Sequence, residues 1–165
     1  MAKKYIAQAI RRGIKKRRFP YSRKTGSAYH WTYVLRAKDP KKRELIAKAM
    51  EKAVKNKGLS YSNTKDGNAD LWDKAKRHKW DISKVKKATT NCCNLVSAAC
   101  RSAGIKTPRK SSAKTLPKKW KKYGFEVIPY KHKKTKLKRG DILDSTTEPK
   151  PHTAVYLGEG GAKKK

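Results

Sequence analysis

The sequence predicts a single α+β domain. Three observations carry this expectation. At 165 residues the chain can bury one conventional core without disulfide or metal staples. Apolar residues at helical spacing dominate its earlier part, and three strand-like segments are gathered near its end.

In chain order, residues 3–18 place Tyr5, Ile6, Ala9, Ile10 and Ile14 at helical spacing and finish in Lys15-Lys16-Arg17-Arg18, which predicts a short basic amphipathic helix. Phe19-Pro20-Tyr21 ends it, because the residue before a proline avoids the helical region. Residues 20–30, with Pro20, Ser22, Gly26 and Ser27, read as a loop, and Trp31, Tyr33, Val34 and Leu35 as wall or core. The clearest helix runs from Asp39 to about Asn56. Asp39 is its N-cap and Pro40 its first residue, and Leu45, Ile46, Ala49, Met50, Ala53 and Val54 form its apolar face before Gly58.

Tyr61 follows in a polar loop from Ser60 to Asn68, then a second helix through Leu71, Trp72, Ala75 and Lys76. A third helix starts near Cys92, turns Leu95, Val96, Ala99, Cys100 and Ala103 inward, and stops at Gly104. A fourth covers 112–123. Strands are expected at 125–130, 140–145 and 152–158. Trp31, Trp72, Trp80 and Trp120 sit at patterned positions and are assigned to the core.

Composition narrows the partner. Lys and Arg total 46 against 12 Asp and Glu, a formal charge of +34, and the excess runs along the whole chain. Such a coat points to a polyanion without choosing among wall polymers, nucleic acid and anionic surfaces. Three cysteines, two of them adjacent, make no disulfide framework and read as free thiols. No apolar stretch is long enough for a membrane span, and Met1-Ala2-Lys3-Lys4 opens no secretion signal. His30, His78 and His132 lack metal-ligand spacing, so neither a metal nor another cofactor is expected.

The chemistry concentrates in Asn91-Cys92-Cys93-Asn94-Leu95-Val96, Gly140-Asp141-Ile142-Leu143 and His152-Thr153-Ala154-Val155-Tyr156-Leu157-Gly158. A thiol attacks as its thiolate, and a helix N-terminus and a nearby imidazole both favour that form. A cysteine at a helix start with a histidine at a strand start therefore suggests a Cys-His hydrolase. Over roughly residues 31–160 these segments, with Val34-Leu35-Arg36, Asp39-Pro40 and Leu59-Ser60-Tyr61, resemble the NlpC-type cell-wall cysteine peptidases and the related CHAP amidases, in particular phage-associated members with a helical lead-in.

The resemblance implies a papain-like fold with a helical N-terminal half, in which the cysteine helix packs on a small antiparallel sheet. It divides the chain into a basic N-terminal extension (1–30), the hydrolase domain (31–160) and a basic tail (161–165). It makes Cys92 the nucleophile and His152 the base, places Tyr61 against substrate, and puts Asn91 at the position of the family's aspartate, beside the substrate. Cys93 is the alternative nucleophile if the helix begins one residue later. The family's orienting residue for the histidine, expected on a following strand, has no counterpart here, Glu159 being the last acidic residue. The implied function is cleavage of a peptide or amide bond of peptidoglycan by a phage-encoded or lysis-released protein held to the anionic wall by charge. The alternative is a catalytically weak or inactive scaffold that binds polyanions, nucleic acid included, without sequence preference.

Overall fold

A computed structural model describes residues 3–19, 31–131, 133–146 and 151–159. The expected 20–30 loop, His30, His132 and the basic tail lie outside these residues. The described elements are β1 (Tyr5–Ile10), β2 (Gly13–Arg18), β3 (Tyr33–Ala37), α1 (Pro40–Lys55), β4 (Leu59–Tyr61), α2 (Asp70–Arg77), β5 (Ala88–Thr90), α3 (Cys92–Ser102), α4 (Leu116–Trp120), β6 (Phe125–Pro129), β7 (Ile142–Ser145) and β8 (His152–Gly158). The domain is mixed α and β. A six-stranded antiparallel sheet in the order β2-β1-β8-β7-β3-β6 forms its centre, with β4 and β5 as a separate parallel pair.

The helix expected over residues 3–18 is a β-hairpin. Ile6 and Ile10 are four apart, a step that keeps side chains together on a helix and on a strand alike, whereas Ile14 lies across the turn opposite Ala9, on the face opposite to Ile6. Gly13, at φ 117, makes the reversal after Arg11 and Arg12. β1 is then buried from Ile6 to Ala9 and supplies the pairing partner that β8 needs on its outer side. The N-terminal half is accordingly mixed and not all-helical: β1, β2 and β3 precede α1, and the sheet is larger than expected because they belong to it.

α1 is capped by Asp39, whose carboxylate accepts from Lys41 N at 2.8 Å. Its buried face is Ile46, Ala47, Ala49, Met50 and Ala53. Leu45, expected on that face, is 45% exposed, so the stripe is turned toward Ala47. The fourth helix is shorter than expected, one turn from Leu116 followed by a 3-10 turn at Lys121–Tyr123.

The sheet buries both faces. One packs Ala7, Ala9, Leu35, Ile142, Val155 and Leu157 against α1 and α3, and the other gathers Ile6, Trp31, Val34, Leu143, Ala154 and Tyr156. Trp31, Trp72 and Trp120 are buried as expected, while Trp80 is half-buried against Trp72.

The Gly140-Asp141 motif is a structural turn leading into β7. Gly140 has φ 93, and a Cβ there would collide with the Arg43 carbonyl oxygen on α1. Buried Asp141 takes a two-pronged ion pair from Arg36, at 2.9 and 2.6 Å, and accepts from Lys138 N at 2.7 Å. Arg139, one residue earlier, reaches both Glu44 and Glu51 on α1. These pairs fix β7, and through it β8, against the helical layer. Among the described residues no helix is long and apolar enough to cross a membrane.

Candidate functional site

Two elements deliver the thiol. β5 runs parallel to β4, with Thr90 opposite Tyr61, and Cys92 opens α3 two residues later. Asn91 is the helix N-cap: its Oδ1 accepts from Asn94 N at 2.9 Å and its Nδ2 donates to Asn63 Oδ1 at 3.2 Å. Asn91 N donates to Asn68 O at 3.2 Å, which ties the first turn of α3 to the polar loop. The loop residue Tyr61, at the end of β4, is half-buried. Burial raises its hydroxyl above the ordinary phenolic range, and the Cys92 charge adds to this.

Cys92 is half-buried, whereas Cys93 and Cys100 are buried, and all three are free thiols. The Cys92 thiol is held well below the ordinary thiol range. The hydrogen-bond contact it shares with Cys93 lowers it most, burial opposes, and the hydrogen bond and charge of His152 and the backbone N–H of Thr153 lower it further. Cys93 is driven the opposite way by that same contact, by its own burial and by the Cys92 charge. Burial alone raises Cys100. The environment thus pushes the two adjacent thiols apart, Cys92 toward the thiolate and Cys93 toward the thiol.

The structure brings His152 to Cys92 from the start of β8. Its Nε2 lies 2.6 Å from Oε1 of Gln8 on β1. With a carboxamide oxygen as acceptor, Nε2 carries the proton. The Trp31 ring lies against the imidazole, centroids 5.8 Å apart and planes tilted by 31°. Gln8 is fully buried, and sequence reasoning missed it. A lone amide between Ala7 and Ala9 in an apolar segment was the available signal, because a buried amide needs a partner.

Beneath the two cysteines runs a second polar chain. Cys93 Sγ lies 3.2 Å from Thr153 Oγ1, which in turn lies 2.8 Å from Asp144 Oδ1. Asp144 is fully buried, and among the described residues its Oδ2 has no hydrogen-bond partner. Burial pushes its carboxyl up to about 8 against the lowering effect of Thr153, with the Cys92 charge pushing the same way as burial. Among the described residues no three His, Cys, Asp or Glu side chains form a group able to hold a metal ion.

Of the residues singled out in the sequence, Cys92, His152, Tyr61 and Asn91 therefore lie around one helix N-terminus. No curated protein and no solved structure matches the chain. The model of one family, described as an endolysin-like domain, matches residues 17–163, and the chain belongs to that family.

Proposed function

We propose that the chain is a cell-wall hydrolase that cleaves a peptide or amide bond of peptidoglycan through Cys92 and His152, on a papain-like frame of the NlpC or CHAP kind. The observation that supports this most is His152 set beside the Cys92 thiol, which it helps to lower, with Gln8 at 2.6 Å from the imidazole Nε2. A cysteine helix packed on an antiparallel sheet whose strand carries the histidine is consistent with that frame. Membership of an endolysin-like family supports a wall-directed role for a phage-encoded or lysis-released protein.

In this reading Gln8 holds the Nε2 proton, so His152 exchanges protons with the thiol through Nδ1. The Cys92 sulfur attacks the carbonyl carbon, and backbone N–H groups at the start of α3 stabilise the oxyanion, aided by the helix dipole. His152 then protonates the departing amine, and water attacks the acyl-enzyme to release the acid and restore the thiol. Tyr61 borders the site where substrate enters. Asn91 acts through the cap that fixes the first turn of α3. The excess of cations holds the protein to anionic wall polymer, since a net charge of +34 favours any polyanion.

That charge also favours the second reading, an inactive scaffold that binds polyanions. Digestion of purified walls with product masses separates the two. Wild type is expected to release fragments with one kind of new terminus, and Cys92→Ala to release none. Undiminished release by Cys92→Ala overturns the thiol mechanism. Retention on wall polymer or nucleic acid without any release by wild type establishes the second reading.

A further inference from the structure

The carboxyl of Asp144 has no part in the mechanism above, yet it ends a chain of side chains that begins at the nucleophile. Cys92 Sγ and Cys93 Sγ are 3.9 Å apart, Cys93 Sγ and Thr153 Oγ1 3.2 Å, and Thr153 Oγ1 and Asp144 Oδ1 2.8 Å. Each of Cys93 and Thr153 has a single hydrogen to give and a neighbour on either side to receive it. The chain therefore has two directions. If Asp144 holds a proton on Oδ1 it donates to Thr153, Thr153 to Cys93, and Cys93 to the Cys92 sulfur. If Asp144 is ionised, Thr153 turns to the carboxylate, Cys93 turns to Thr153, and the Cys92 sulfur loses its donor.

We propose that Asp144 is a positioning residue which, through Thr153 and Cys93, sets whether the Cys92 thiolate receives a hydrogen bond from below. This rests on the reading of Cys92 as a thiolate paired with His152. Burial without a cation favours the protonated carboxyl, as a charge at this depth must be matched or neutralised. The groups facing it support this. From α3 come Cys92 and Cys93, whose thiolate and thiol add no positive charge. β8 contributes Thr153 and, one residue earlier, His152, whose Nε2 is directed to Gln8. From β3, Tyr33 stands opposite in register, and Arg36 is committed to Asp141. The shift of the carboxyl to about 8 puts the change of direction at the alkaline edge of neutrality.

The carboxyl can be followed directly by NMR of protein carrying 13C-labelled aspartate. One carboxyl is expected to titrate near 8 and to vanish in Asp144→Asn. It should titrate at lower pH in Cys92→Ala, because the thiolate charge that raises it is gone. An Asp144 signal that titrates in the ordinary carboxylate range, or one unmoved by Cys92→Ala, overturns the proposal.

Alkylation of Cys92 by iodoacetamide, followed by mass, gives the second readout. Wild type should show the low-pH ionisation of the thiol and a further inflection near 8. Asp144→Asn and Thr153→Val, each of which keeps Cys93 directed at Cys92, should lose the further inflection and keep the first. An inflection retained in either variant overturns the relay. If wild-type Cys92 shows no low-pH ionisation at all, the thiolate reading itself falls, and the relay with it.

Discussion

Replacing Asp144 by Asn should stabilise the fold, and by an amount that grows with pH. In the unfolded chain this carboxyl ionises near the usual aspartate value of about 3.9, whereas in the fold burial holds it protonated up to about 8. A folded-state pKa above the unfolded one means that the fold binds more protons than the unfolded chain between those values. Asp144 therefore favours folding at acid pH, and that contribution is lost as pH rises from about 4 toward 8. Each unit is equivalent to about 1.36 kcal/mol, so three units, from about pH 5 to pH 8, come to at most ~4 kcal/mol. Asparagine has the same shape and no charge to bury, so it escapes this loss. Urea unfolding followed by tryptophan fluorescence, on wild type and variant at pH 5 and pH 8, reads the difference. The advantage of Asp144→Asn should widen by a few kcal/mol across that interval. An advantage that is flat or shrinks with pH refutes the account of Asp144 as a neutral buried carboxyl.

Other substitutions test the architecture around the site. Gln8→Ala leaves His152 without its Nε2 acceptor and should lower the rate of wall digestion by about 10²-fold, with near-ultraviolet circular dichroism unchanged; Gln8→Asn should fall between the two. Gly140→Ala forces a side chain into a left-handed position against the α1 backbone and should cost more than about 2 kcal/mol in urea unfolding. Asn91→Ala removes the α3 cap at a cost of about 1 kcal/mol, and Asn91→Asp should restore stability, because a carboxylate caps equally well and complements the helix dipole.

The helices around the site were legible because their signals are local. Asp39-Pro40 opens α1 and Gly104 follows α3, and each acts on neighbouring backbone. The strand with the histidine could likewise be read from its continuous apolar run. The N-terminal hairpin could not, since the four-residue step from Ile6 to Ile10 satisfies both periods and the decision rests on pairing with β8. For the same reason the group behind His152 stayed hidden: Gln8 is separated from it by 144 positions. Asp144 was equally opaque. Its segment reads as an ordinary strand, and only the packing of α3 over it shows the carboxyl enclosed beside the thiols.

The partnership of the first strand with the last governs when the thiol becomes competent. Cys92 and its helix precede β8 in the chain, while Gln8 precedes both, and the region matched by the family begins at residue 17. During synthesis the nucleophile is made well before its base, and the imidazole is aligned only when the two distant strands close on each other. The reactive centre is thus complete only where β1 is paired with β8. A nascent chain, or one trimmed ahead of β2, carries the cysteine without an oriented base, so the cell that makes the protein meets a finished centre only in a finished fold.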